Sequence, residues 1–265
     1  MRYLTKEWYN RMQYTSIYLG LKVNNKAEEL SEDFYQEVYT KAKKRHIKDL
    51  YDFTDYKKFK KIFLESIDDY DGLTEEDIEQ EFRNANEEMF LGMSLEDHFD
   101  YCQNNLIEQY KSAIPENILN KVKDIRVLAL GYTSSEVYKL LKEYCDANEK
   151  FVEEKLRESV KVEEEQFKND PIKFIEESFH DCFVIDVIKD KNDLVIELDN
   201  ENEFTDKTEI TFKNYNIILD EDIKETYWLY NEVYKNEVGY EVHILTSIND
   251  NLKELIIECD DIKIG

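Results

Sequence analysis

The sequence predicts an α+β protein, with an N-terminal multi-helix domain followed by a C-terminal antiparallel β meander forming a curled sheet or a small barrel. Three observations predict it. From Met1 to about Asn169 the apolar residues recur mostly at helical spacing. From Phe179 to Ile264 they mostly alternate, in short runs rich in β-branched and aromatic residues. The intervals in that second part are short, and parallel crossovers need a dozen or more residues, so neighbouring strands are expected to be antiparallel. The pattern changes near Asn169-Asp170-Pro171, where proline disfavours helix in the residue before it. Two domains are therefore expected. Residues 1–170 are helical and end in a long helix over about 133–168; residues 171–265 form an acidic antiparallel β domain.

Taken in order, Thr5 has the side chain to cap a first helix carrying Trp8, Met12, Ile17 and Leu19 and ending near Gly20. A second is expected from about Lys26, with Leu30, Phe34, Val38 and Ala42 four residues apart. A third starts after Thr54 and presents Phe59, Ile62, Phe63 and Ile67. Asp71-Gly72 breaks it, and Thr74 with Asp77 has the spacing of a capping box opening a helix through Ile78, Phe82, Ala85 and Met89. Shorter helical segments flank Pro115, which suits a first turn. The longest helix follows Thr133, again with capping-box spacing to Glu136. Its apolar stripe reads Val137, Leu140, Leu141, Tyr144, Cys145, Phe151, Val152, Leu156 and Val160.

Strands are expected over Cys182–Lys189 and Leu194–Asp199, joined by the polar turn Asp190-Lys191-Asn192-Asp193. Thr208–Lys213 continues, with Tyr215–Leu219 as an extension. Tyr227–Tyr234, Tyr240–Ile248 and Leu252–Cys259 complete six strands, and strands of this kind bury one face against helices.

Composition bounds the function. The 265 residues include 35 Lys+Arg against 61 Asp+Glu, a net charge of -26. Residues 171–265 are the more acidic part, with 9 basic and 24 acidic side chains and no arginine. Such a field repels duplex phosphates and anionic membrane surfaces unless basic residues cluster locally, which disfavours nucleic acid and membrane as partners. It suits solubility and basic proteins. With 6 Gly and 2 Pro, collagen-like and linker-like chains are excluded. No apolar run approaches the roughly 18 residues that span a bilayer. Met1 to Asn10 lacks the apolar core of a signal peptide. A soluble, cytoplasmic protein is expected, with Cys102, Cys145, Cys182 and Cys259 reduced and packing as small hydrophobes.

Motifs for chemistry are sparse. There is no phosphate-cradling glycine loop and no nucleophile elbow. Asp68-Asp69-Tyr70-Asp71-Gly72 resembles part of a calcium loop, but Ile67 and Ile78 stand where oxygen ligands are needed, so an acidic turn is the better account. His98 and Cys102 lie one helical turn apart, and Glu177 and His180 have the E-x-x-H spacing of di-iron bundles, yet neither pair has the further ligands a site requires. No cofactor is expected. If an enzyme, the protein would be a hydrolase or metal-dependent enzyme with His98, His180 and His243 converging between the two halves.

Two features stand out. Lys41, Lys43, Lys44, Arg45, Lys48, Lys57, Lys58, Lys60 and Lys61 form a basic stretch inside an acidic chain. It reads as a solvated helical face, as a surface docking on the protein's own acidic sheet, or as a phosphate or RNA contact. The second feature is aromatic. Strict alternation places Trp228, Tyr230 and Tyr234 on one face of their strand and Tyr227 on the other. That face either packs on the helices or, left open, forms a partner-binding surface.

Thr5-Lys6-Glu7-Trp8-Tyr9, His180-Asp181-Cys182, Tyr227-Trp228-Leu229-Tyr230 and Gly239-Tyr240-Glu241-Val242-His243 resemble the domain-of-unknown-function family 4085 (DUF4085), a likeness that runs over most of the chain. It implies no catalytic or binding residue. The strand-rich half also looks loosely like bacterial immunity-type domains, which neutralise toxins by contact. The sequence reading is then a non-enzymatic protein-binding module whose β half, around Trp228, Tyr230 and Tyr234, engages a basic protein.

Overall fold

The computed structural model describes residues 1–66, 73–169, 172–199, 205–249 and 251–265. The 68–72 segment, Ile67, Asp170 and Pro171 lie outside the described residues. The chain forms two compact units: a continuous one, Ser16–Cys145, and a discontinuous one made of Met1–Thr15 with Asp146–Gly265. The sequence pattern changes near residue 170, whereas this division falls inside the long helix.

The discontinuous unit begins with helix α1 (Lys6–Met12), whose N-terminus is capped by Thr5 accepting from the Trp8 amide. It stops at Met12, short of Gly20, because the chain turns there, the Tyr14 amide bonding back to Arg11. The continuous unit holds β1 (Lys22–Val23), α2 (Glu32–Thr54), α3 (Tyr56–Ser66), α4 (Glu75–Phe90), α5 (Leu95–Ala113), α6 (Glu116–Leu119), α7 (Ile125–Ala129) and β2 (Tyr132–Thr133). Helix α2 starts six residues later than expected. Ser31 is its cap, accepting from the Phe34 amide, and Leu30 is exposed ahead of it. Helix α4 has the expected capping box of Thr74 and Asp77. The segment before Pro115 is longer than expected, a helix of 19 residues.

Helix α8 (Ser135–Phe167) is the long helix, and its cap is Ser134, which accepts from the Val137 amide, rather than Thr133, which is taken into β2. Its first half buries Val137, Leu141 and Cys145 as expected. Leu156 and Val160 are exposed instead. Successive i+4 steps drift around a helix axis by about 40° each, so a line through Val152, Leu156 and Val160 leaves the buried side. The covered line passes through Asn148, Val152 and Phe167.

After the short α9 (Lys173–Glu176) come β3 (Phe183–Lys189), β4 (Asp193–Asp199), β5 (Glu209–Lys213), β6 (Asn216–Asp220), β7 (Tyr227–Lys235), β8 (Tyr240–Ile248), β9 (Asn251–Cys259) and β10 (Asp261–Ile264). They form one antiparallel sheet in the order β10-β5-β4-β3-β7-β8-β9-β6. The expected α+β class and curled sheet hold, and the sheet is not closed into a barrel. It is more than a meander, because β5 and β6 are consecutive in the chain yet sit towards opposite ends of the sheet. So do β9 and β10. Links of two residues and one residue cannot reach far, about 3.5 Å each, so the sheet must curl strongly to bring its ends together. Asn214, with φ 49, turns the first corner, and its side chain bonds to Asp260 at the second.

One face of the sheet makes the main core. Val184, Leu194, Ile196, Leu198, Ile210 and Phe212 from β3–β5 join Val233, Val242, Ile244, Leu255 and Ile257 from β7–β9. Phe174, Phe179 and Trp228 fill the centre with ring contacts of 5.3 to 6.3 Å. The helical unit has smaller cores. One groups Ile114, Ile118, Leu128, Val137 and Leu141, and another Phe34, Val38 and Val127.

Candidate functional site

The strand expected to carry a partner surface, β7, is bent by a bulge between Trp228 and Tyr230, where the pairing with β8 shifts by one residue. A bulge inserts one residue on one side of a ladder and so reverses the phase of everything beyond it. Trp228 therefore lies on the core face and is fully buried, its indole Nε1 bonding Asn231. Tyr227, Tyr230 and Tyr234 lie on the other face. This corrects the strict alternation, which had Trp228 with Tyr230 and Tyr234. Tyr230 is half-buried, edge-on to Trp8 at 5.0 Å and beside His180 at 5.4 Å. Tyr234 is buried beneath the Arg2 guanidinium, 3.9 Å from its ring centre. As placed, Trp228 and Tyr234 offer no open side-chain surface.

What covers this face is the segment before α1. Glu232, buried in mid-β7, accepts three consecutive main-chain donors, the amides of Arg2, Tyr3 and Leu4, at 2.7, 2.9 and 2.6 Å. Arg2 continues to Glu241 at 2.7 Å, and Glu241 takes His243 Nε2 at 2.6 Å. Burial pushes the His243 imidazole below its ordinary pKa against the pull of Glu241. Burial and the Glu232 carboxylate push the Tyr234 phenol up. Trp8 donates to the Val152 carbonyl of α8 at 3.1 Å. Sequence reasoning missed this clasp. Its one signal was Glu232, the lone carboxylate in a mostly apolar and aromatic strand, and the partner amides are about 230 residues away.

The three histidines have separate settings. His98, on α5, lies between Cys102 Sγ at 3.4 Å and His46 of α2 at 3.1 Å, and packs edge-on to Phe90. Burial lowers the His46 pKa, helped by His98, and burial raises the Cys102 thiol. His180 pairs with Asp181 at 3.0 Å and sits against Tyr230, while His243 belongs to the buried network just described. Glu177 takes the Thr205 hydroxyl rather than facing a metal with His180. Among the described residues no group of three or more His, Cys, Asp or Glu side chains is arranged to hold a metal ion. Cys145, Cys182 and Cys259 are buried thiols, the last pushed up to about 12 by burial and the neighbouring Asp261 and Asp260 carboxylates. No helix among the described residues is long and apolar enough to cross a membrane.

The basic stretch divides. Lys41, Lys43, Lys58, Lys60 and Lys61 form ion pairs with Glu37, Asp100, Asp52, Glu75 and Glu65, all within the helical unit. Lys44, Arg45, Lys48 and Lys57 are exposed and form no ion pair among the described residues.

The outer face remains open over β3–β5, and its register sets side chains in rows. Asp186, Glu197 and Glu209 stand directly opposite one another on three adjacent strands. Like charges placed this way destabilise a sheet. Lys224 relieves Asp186 at 3.0 Å, holding its carboxyl below the usual range. On one side of this row Phe183 pairs with Tyr227 in an edge-to-face contact of 5.1 Å. On the other Ile188 pairs with Val195. Tyr227, Ile185 and Ile188 are all more than two-fifths exposed.

The sheet unit carries 17 basic and 34 acidic side chains, a net of -17, against -9 for the helical unit. Neither the curated proteins nor the solved structures contain a match to the chain. A family model described as a protein of unknown function, DUF4085, matches residues 56–251. The match takes in the 180–182, 227–230 and 239–243 motifs and leaves out the 5–9 motif that builds the start of α1. It spans well over half of the chain, and the protein belongs to the DUF4085 family.

Proposed function

We propose that the protein is a non-enzymatic binding module that takes a basic protein partner, of the kind an immunity protein neutralises, on the open outer face of β3–β5. The observation that carries this reading is the row Asp186, Glu197 and Glu209 set between the apolar rows of Phe183 with Tyr227 and Ile188 with Val195. A carboxylate row costs stability in the free protein and gains from a cationic partner. Tyr227 and Ile188, exposed in the rows beside it, give such a partner apolar area to bury. The charge of the whole unit steers a basic protein towards it. The surface is thus displaced from Trp228 and Tyr234 onto Tyr227 and its neighbours.

The test compares capture from a source-cell lysate by the intact protein and by a Glu197→Lys/Ile188→Lys variant, with folding checked by circular dichroism. The expected result is a basic protein held by the intact chain at low salt, released at high salt and not held by the variant. Equal retention by both, or no basic protein on the intact chain, overturns the reading.

A further inference from the structure

A cavity of about 210 Å³ in the helical unit has walls of one charge. Its construction follows from local structure. Val38, Lys41, Ala42 and Arg45 stand at i, i+3, i+4 and i+7 of α2 and so share one helix face. Lys22 of β1 and Tyr132 of β2 are register partners in a parallel pair, which sets them side by side. The cavity lies where that pair meets the α2 face. Three cations, Lys22, Lys41 and Arg45, line it together with Val38, Ala42, Leu130 and Tyr132, and among the described residues no carboxylate does.

A second cavity in the same unit shows that this is not the general condition. That one, of about 320 Å³, is lined by Arg126 and Asp100 among others. There every charge is already answered: Arg126 by Asp124 and Glu32, and Asp100 by Tyr39 and Lys43. In the smaller cavity Lys41 shares Glu37 with Lys26, while Lys22 and Arg45 have no ion pair among the described residues. Three like charges around one hollow, in a chain with 61 carboxylates to spare, repel one another unless an anion enters.

We propose that this cavity is a binding site for a small organic phosphomonoester. Two unanswered cations and a share of a third match a dianion better than a monoanion. Arg45 supplies paired donors for phosphate oxygens and Lys22 a compact charge. The apolar lining with its Tyr132 ring takes an organic body. The hollow of about 210 Å³ lies below the usual range for drug-sized sites, which suits a small guest. A polyanion is the poorer fit, because one hollow meets one phosphate while the net charge of the molecule repels the rest. This site lies in the helical unit and stands or falls independently of the sheet surface.

The experiment is a calorimetric titration of the full chain with phenyl phosphate, repeated with inorganic phosphate and with Arg45→Ala and Lys22→Ala variants. All three chains are checked for unchanged circular dichroism, and both side chains are exposed enough for the fold to tolerate their loss. One saturable site for phenyl phosphate is expected, weaker for inorganic phosphate. Loss of either cation is expected to weaken it about tenfold. Absence of saturation, undiminished binding by both variants, or inorganic phosphate binding as tightly as its phenyl ester overturns the proposal.

Discussion

The two units of this protein solve the problem of a highly charged chain in opposite ways. The sheet unit concentrates its apolar residues into one continuous core and buries a carboxylate, Glu232, by giving it three main-chain donors. The helical unit divides its apolar residues between small cores and spreads its charges over helix surfaces as pairs, many of them i, i+4. Exposed pairs of that kind contribute little each. Stability is therefore concentrated differently: in the sheet unit it hangs on a few irreplaceable groups, and in the helical unit on many replaceable ones.

Trp228→Ala is the hardest test of that contrast. It empties the middle of the sheet core, between Phe174 and Phe179, and should cost about 3–5 kcal/mol of unfolding free energy. Val38→Ala, in the smaller helical core, should cost about 1–3 kcal/mol because less is packed around it. Urea unfolding of both variants measures the difference, and equal losses would mean that the two units do not differ in this way.

Glu232→Gln comes next. The amide keeps one acceptor but loses the charge, and should cost about 2–3 kcal/mol. Its particular signature is faster amide exchange at Arg2, Tyr3 and Leu4, with the remaining sheet amides still protected. Unchanged exchange at these three residues would mean that Glu232 is not what holds the segment.

The smallest effect is a pH dependence. His243 in the sheet unit and His46 in the helical unit are both held below the ordinary histidine value by burial. The unfolded chain takes up protons first as pH falls, so the stability these two groups contribute is complete above about pH 6.5 and declines below it. The unfolding free energy from denaturant titration should drop between about pH 6.5 and 5, by up to about 1.4 kcal/mol for each unit of depression. His243→Gln and His46→Gln should each flatten that slope. The larger flattening is expected with His243, which is the more buried of the two.

Much of the fold was legible in the sequence for local reasons. Caps such as Thr5 and the Thr74–Asp77 box act within four residues, and β3–β5 and β7–β9 advertise themselves by alternation, whereas β6 reads in the sequence only as an extension of β5 and in fact pairs with β9 at the far end of the sheet. Less local features were hidden. The bulge in β7 leaves composition untouched and changes only phase, so the face of Trp228 could not be read by counting. Strand β10 is four residues long and follows β9 after a single residue, with no turn signal between them. The pair β1 and β2 exists only because chain positions about 110 residues apart come together. The candidate surface was half legible. Its acidity and the aromatic Tyr227 were visible, but the rows of Asp186, Glu197 and Glu209 are products of register.

The clasp on Glu232 also sets an order of events during synthesis. Residues 2–4 leave the ribosome about 230 residues before the carboxylate that receives them. At 5–20 residues per second that is a wait of roughly 10 to 50 s. Over that interval the whole of Ser16–Cys145 is made, and it forms a compact unit by itself. The leading segment must stay solvated and unclaimed until β7 arrives. Its Arg2, Lys6 and Arg11, against the single acidic Glu7 in the first fifteen residues, give it a positive charge that suits both the wait and the acidic unit it finally joins.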